Sequence, residues 1–360
     1  MRKLVMSVFG IGLGIFLLWL LFRSTDWSAV AASICRIDWK WFALAQVPLL
    51  LSFPARVQRW TYIVRATDPV SFRNLFSATQ IGFLANFTLP GRAGEAIRAL
   101  TLTRLTRIGF SKSLAFVALD RVTDLFGLMA VIGVSIVAFS PTEEVLIPAD
   151  TFGTAGPIVF GTNEIRLGAV FTGLFLVATL SVFALLYFRR DDFLAVSRAI
   201  LGRVSRRLAE VAGRVLNLFA DGLSVFRSPL EMAKSIAWSL VTWSLFLVSM
   251  SCLLVAFGID FPWYAPFVVQ AILAVFIAAP NTPGFVGQFH VPIVLGLIFT
   301  IPEIDSNTAK AFAIVYHLIQ LPGVFVLGFG CLLTERMNLL QLQSEGEKLS
   351  RVGESDAGGE

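Results

Sequence analysis

Apolar runs separated by short polar segments account for most of this chain. They are Leu4–Phe22, Trp39–Leu51 running on through Pro54 to Arg65, Leu75–Leu89, Ser113–Phe139, Leu167–Phe188, Ile236–Phe257, Tyr264–Ala279 with Phe285–Phe299, and Ala309–Leu333. A membrane-crossing helix needs about 20 such residues, and most of these runs reach that length. Two do not, because they are interrupted. Asn86–Glu95 reads N-F-T-L-P-G-R-A-G-E, where Pro90 and Gly91 should end an arriving helix and Gly94 should lie near the start of a new one. Asn281–Gln288 reads N-T-P-G-F-V-G-Q, so that Pro283-Gly284-x-x-Gly287-Gln288 echoes Pro90-Gly91-x-x-Gly94-Glu95. Broken helices at membrane depth are tolerated where they pack inside protein or line a wet cavity. One in each half of a chain points to a transport site.

Loop charge orients the runs. Arg56–Arg73, Arg104–Lys112 and Arg189–Arg227 are basic, whereas Pro141–Asn163 carries Glu143, Glu144 and Asp150 and no lysine or arginine. By the positive-inside tendency the first set is cytoplasmic and Pro141–Asn163 external. Basic clusters on both sides of the first broken segment predict a hairpin dipping from the cytoplasm; the second broken segment lacks basic flanks and should dip from outside. The expectation is an all-α polytopic membrane protein with about six full spans and two re-entrant hairpins. Its repeat halves, about residues 1–140 and 167–334, are inverted, and both termini lie inside. Leu4–Phe22 is read as a span rather than a cleaved signal, despite Ala29-Val30-Ala31, because its apolar core is long and Arg23 and Asp26 intervene. Trp27, Trp39, Trp41 and Trp60 are read as interface anchors. A basic amphipathic helix is expected over about 191–227, on the cytoplasmic leaflet or packed on the membrane domain. A disordered polar tail is expected over 335–360.

Composition sharpens the class. The chain is 56% hydrophobic and 15% charged, with mean hydropathy +0.77; an ordinary soluble domain carries about 25% charge. The net charge of +5 belongs to residues flanking apolar runs and implies no nucleic-acid partner. Three scattered cysteines give neither a disulfide framework nor metal spacing. No catalytic triad, HExxH or phosphate loop is present, so neither metal nor cofactor is expected.

The candidate chemistry is anion binding. A half-helix starting near Gly94 directs N–H groups and a positive dipole end into the membrane, and Arg92 and Arg98 add guanidiniums that grip phosphate bidentately. Asp120, Arg121 and Asp124 stand inside a span, and Arg121 is about eight residues in, or ~12 Å at ~1.5 Å per residue. Arg121 can serve the substrate or pair with Glu95 or a neighbouring aspartate and hold helices together. Asn86 and Gln288 offer neutral hydrogen bonds. His317 suits either proton coupling or a helix-to-helix hydrogen bond, and His290 has similar status.

The run N-F-T-L-P-G-R-A-G-E-A-I-R-A-L (86–100), then D-R-V-T-D (120–124) and P-G-F-V-G-Q (283–288), resembles the lysylphosphatidylglycerol synthase transmembrane region, a flippase-like family. The resemblance covers roughly residues 5–335. It implies translocation of an anionic or phosphate-bearing lipid across the cytoplasmic (inner) membrane in support of cell-envelope lipid or glycolipid synthesis. In two-domain members a separate cytosolic domain aminoacylates the lipid; this sequence reaches Glu360 without one, so aminoacylation is not expected. A biosynthetic enzyme is a possible partner. The competing expectations are a membrane-embedded lipid-modifying enzyme and a scaffold. Gln288 stands where the first motif has Glu95, which makes the second break the less polar one.

Overall fold

The computed structural model describes residues 2–89, 93–141, 143–205, 213, 229–278 and 282–345. Helix α1 (Arg2–Phe22) turns by 87° into α2 (Trp27–Cys35), whose N-terminus is capped by the Asp26 carboxylate accepting from Ser28 and Ala29 N–H groups. Asp38 caps α3 (Trp39–Arg65) in the same way, and α3 stays helical through Pro48 and Pro54. Two antiparallel half-helices follow, α4 (Phe72–Thr88) and α5 (Ala93–Leu105), and then the long α6 (Phe110–Ala138). The break between α4 and α5 falls where Pro90 and Gly91 put it; Pro90, Gly91 and Arg92 themselves lie outside the described residues.

The second half is helical as well. Helices α8 (Thr162–Phe188) and α9 (Arg190–Val204) lead to α10 (Pro229–Ala256). The half-helices α11 (Ala265–Ala278) and α12 (His290–Thr300) come next, and α13 (Ser306–Leu318) and α14 (Leu321–Thr334) close the domain. Among the described residues, four helical segments are long and apolar enough to cross a membrane: Phe110–Ala138, Thr162–Val182, Pro229–Ala256 and Ser306–Thr334. The bent α1–α2 pair makes a fifth if counted as one span. Helix α3 falls outside that set because its C-terminal half carries Arg56, Arg59 and Arg65.

Packing is set by where side chains are small. α4 lies on α5 so closely that a Cβ on Gly94 would sit 2.2 Å from the Gly82 carbonyl, and α6 meets α10 where a Cβ on Gly127 would come 2.3 Å from the Trp243 ring. Helix α3 runs along α10, α14 along α4, and α11 against α6, so each half-helix pair is enclosed by full helices. The core follows that division. One apolar cluster joins α10, α12 and α13 to α1, and two smaller ones surround α3–α6 and the α4–α14 contact. Helix α8 by contrast presents Leu174, Phe175 and Val177 more than 60% exposed, the surface a lipid-facing helix needs.

Several expectations are corrected. Residues 141–161 are not wholly irregular: β1 (Val145–Ile147) pairs antiparallel with β2 (Ile158–Phe160), Leu146 opposite Val159, around the one-turn helix α7 (Ala149–Phe152). The second half-helix starts at His290 rather than Phe285, because Gly284 (φ 64°), Phe285 (φ 56°) and Gly287 (φ 78°) are left-handed and cannot join a right-handed helix. Trp60 is not an interface anchor but fully buried, whereas Trp27, Trp39 and Trp41 are exposed. The tail is ordered at its start: 339–345 is helical, with Leu342 buried against α4 and α5 and Arg104 paired with Glu345. Residues 346–360 lie outside the described residues. So does most of the expected amphipathic helix beyond Ser205; within α9, Leu194 packs on the core while Val196 and Ile200 stay open. At the α3–α4 turn Asp68 pairs with Lys112 at 2.7 Å. Partial burial opposes its ionisation, but hydrogen bonds from Lys112 and Thr67 outweigh that and hold its carboxyl below the usual range.

Candidate functional site

A cavity of about 600 Å³ lies between the two hairpins. Its aromatic wall residues are Phe53, Phe83, Phe87, Trp243, Phe246, Phe285 and Phe289. Phe87, three residues before Pro90, touches Phe285 of the second tip with ring centroids 5.0 Å apart, so the two breaks meet at this space. The charged lining lies on α3, α5 and α6 and comprises Arg56, Glu95, Arg121 and Asp124; Ser52, Asn86 and Gln320 add neutral polar groups.

These groups belong to a larger charge network. Asp120 is buried and takes one guanidinium on each oxygen: Arg59 Nε donates to Oδ1 at 2.8 Å and Arg98 Nη1 to Oδ2 at 2.7 Å. Arg59 also donates to Asp124, whose Oδ1 accepts from the Trp243 indole N–H at 3.1 Å. Arg98 lies 3.7 Å from the Trp60 ring centroid, and the Trp60 N–H donates to the Phe116 carbonyl at 3.1 Å. That aromatic face partly replaces water for a guanidinium whose Nε and Nη2 have no hydrogen-bond partner among the described residues. Arg121 Nη2 donates to Glu95 Oε1 at 2.8 Å. Among the described residues Glu95 Oε2 and Arg121 Nε are buried with no partner.

Arg56 differs from the rest. Its guanidinium sits between the Phe83 and Phe246 rings, 4.9 and 4.7 Å from their centroids, and no ion pair to it exists among the described residues. Four guanidiniums (Arg56, Arg59, Arg98, Arg121) therefore face three carboxylates (Glu95, Asp120, Asp124), leaving the described site one positive charge in surplus.

The structure thus sorts the residues singled out from sequence. Glu95, Arg121, Asp124 and Asn86 line the cavity, and the Asn86 side-chain Oδ1 accepts from the Gly94 N–H at 3.0 Å, tying α4 to the start of α5. Arg98 and Asp120 do not line it; they are buried behind it, 2% and 1% exposed. Gly94 serves the close α4–α5 approach. At the second tip, Gln288 accepts from the Thr282 N–H at 3.1 Å and donates to the Phe276 carbonyl at 2.6 Å, closing the turn that begins at Pro283 and Gly284. Gly287 is pressed against α1, where a Cβ would stand 2.8 Å from the Gly14 carbonyl. His317 lies behind the cavity wall, stacked on Phe289 with centroids 4.9 Å apart. Arg56 and Arg59 escaped sequence reading because they were counted as loop charge. Their signal was the unbroken helix through Arg65: residues three apart share a helix face, and Asp120 and Asp124 offer two carboxylates at matching spacing. Among the described residues no cluster of three potential metal ligands occurs.

The lysylphosphatidylglycerol synthase transmembrane-region family matches residues 7–328 of this sequence. The chain belongs to that family. It is also similar to the glycosyltransferase AglD of Haloferax volcanii, at 26% identity over 361 residues, 96% of this chain and 57% of that protein. The family member described here thus spans little more than half the length of that relative. It is a multi-pass, predominantly helical membrane protein.

Proposed function

We propose that this protein moves an anionic, phosphate-bearing lipid between the leaflets of the inner membrane, holding the head group in the cavity between the hairpins. The observation that carries this reading is Arg56, a guanidinium in the cavity wall with aromatic faces and no carboxylate partner among the described residues. A desolvated cation of this kind favours an anion, and a planar fork favours the paired oxygens of a phosphate. The open positions on Glu95 and Arg121 can hydrogen-bond a polar head group, and the aromatic walls can hold glycerol or sugar carbons. Acyl chains stay in the surrounding lipid.

The architecture fits six spans (α1, α3, α6, α8, α10 and α13–α14) around two re-entrant hairpins in inverted halves, both termini inside. The name of the Haloferax relative supports a glycolipid variant of the same reading. A lipid-linked sugar phosphate has the required anion, and a glycosyl-transferring enzyme would be the partner that supplies or consumes it.

Native mass spectrometry of the purified protein is expected to show a retained phosphate-bearing lipid, weakened by Arg56→Gln; retention of uncharged lipid only would argue against the substrate class. Topology is checked in a background lacking Cys35, which is exposed, and the other two cysteines. A single cysteine replacing Ala155, exposed beside β2, should label from outside intact cells. One replacing exposed Ser205 should not, and its labelling would reverse the proposed orientation.

A further inference from the structure

We infer that His290 and His317, buried together behind the cavity, form a proton-binding site whose occupation unlocks the tip of the second hairpin. The chain contains only these two histidines, and both are nearly inaccessible, at 7% and 4% exposure. His290 opens α12 and His317 ends α13, and their rings meet edge-on with Nε2 of His290 3.4 Å from Nδ1 of His317.

Connectivity sets the tautomers. The Gly287 backbone N–H donates to His290 Nδ1 at 3.3 Å. A backbone N–H can only donate, so that nitrogen carries a lone pair and neutral His290 is protonated on Nε2. Nε2–H then donates to His317 Nδ1, which places the hydrogen of His317 on its own Nε2. That Nε2 is buried with no hydrogen-bond partner among the described residues. The relay therefore runs from Gly287, a left-handed glycine of the tip, through both rings.

Such a chain has no vacant lone pair. A proton arriving on His317 Nδ1 faces the His290 Nε2–H, and a proton arriving on His290 Nδ1 faces the Gly287 N–H. Either way one bond of the relay must break, and its nearest yielding element is the tip over 282–289. That turn leads into α12, and Gln288 secures it from inside. Phe285 and Phe289 leave the tip to form the cavity wall, with Phe289 stacked on His317. A tip displaced by protonation thus moves the wall against which a head group would lie.

No carboxylate compensates the added charge. Neither ring makes an ion pair among the described residues. Of the elements packed on α12 and α13, α11 and β1 carry no titratable group, and α2 carries only Cys35 at its far end. Helix α1 contributes Phe22 against His290, with Arg23 beyond it engaged by the Phe152 carbonyl. Helix α7 contributes Asp150, whose carbonyl accepts from Lys310 on α13, roughly two turns before His317. Helix α14 carries only Cys331, far along its length; α10 contributes the buried thiol of Cys252, and its Glu231 and Lys234 pair with each other at its opposite end. Tyr316 bonds Gln270. The cavity's Arg56, Glu95, Arg121 and Asp124 stand on the α3, α5 and α6 side.

The use of this proton to drive lipid movement rests on the translocation reading; the proton site itself does not. With two histidines, isotope-labelled histidine gives two sets of ring-nitrogen resonances in nanodiscs, and these report tautomer and protonation directly. At about pH 8 both rings should be Nε2–H. As pH falls through the imidazole range toward about 5, hydrogen exchange of 282–290, corrected for its intrinsic pH dependence, should accelerate about tenfold or more. Replacing both rings, His290→Phe with His317→Phe, should abolish that dependence. An Nδ1–H tautomer in either ring, or pH-independent exchange of the wild-type tip, overturns the inference, as does full pH dependence in the doubly substituted protein. A pH-dependent tip in a protein that moves no lipid would leave the proton site standing and remove the transport reading.

Discussion

Asp120→Asn is expected to be the most damaging single substitution in the first half of the protein. It removes the one carboxylate shared by Arg59 and Arg98, both almost wholly buried. Breaking a buried ion pair by deleting one partner costs about 3–5 kcal/mol, because the surviving charge is left desolvated. Folded domains are stable by only about 5–15 kcal/mol in total. Arg59 keeps Asp124, but the stranded Arg98 guanidinium, relieved solely by the face of Trp60, should lower the thermal midpoint in detergent sharply or prevent accumulation altogether. Adding Arg98→Met to Asp120→Asn should recover part of the loss, since the stranded charge is then gone. Asp124→Asn should be milder, because the Trp243 N–H and Ser239 still find an acceptor there. Wild-type-like melting of Asp120→Asn would mean the network contributes little to the fold.

Arg56→Gln should do the reverse: leave the fold and remove the function. Its guanidinium has no ion pair among the described residues, so what is lost is stacking on Phe83 and Phe246, worth about 0.5–2 kcal/mol. Melting should shift only modestly. A hydrogen bond to a charged group contributes about 1.5–3 kcal/mol, so losing the phosphate contact should slow head-group passage by about 10–150-fold. Arg56→Lys keeps the charge but not the fork and should fall between. Arg121 answers a separate question. Its partner is Glu95, so Arg121→Gln combined with Glu95→Gln removes a pair without stranding a charge and should fold.

The two hairpins were legible because Pro90-Gly91 and Pro283-Gly284 impose backbone constraints that no tertiary context repeals. The charge network was half legible. Asp120, Arg121 and Asp124 stand out inside an apolar run, but Arg59 and Arg56 sit at the end of one, where a basic residue ordinarily means a loop. Which arginine takes which aspartate depends on how α3 turns against α6, and that is fixed by long-range packing. The burial of Trp60 was hidden for the same reason. The delayed start of α12 depends on Gly287 pressing against Gly14 of α1, a contact across most of the chain. Likewise Leu342 and Glu345 look like tail residues until α4 and α5 provide a surface for them.

The central claim is that the cavity between the hairpins carries an anionic head group across the membrane by way of Arg56. Its most direct test is leaflet exchange in proteoliposomes containing phosphatidylglycerol labelled with a fluorophore on an acyl chain, with dithionite added outside. Protein-free vesicles keep their inner-leaflet signal. Wild-type protein is expected to expose that signal, Arg56→Gln to expose it about 10–150-fold more slowly at equal reconstitution, and a labelled neutral lipid to stay protected throughout. Equal rates for wild type and Arg56→Gln, with both variants folded, would contradict the account and move the head-group path away from this cavity.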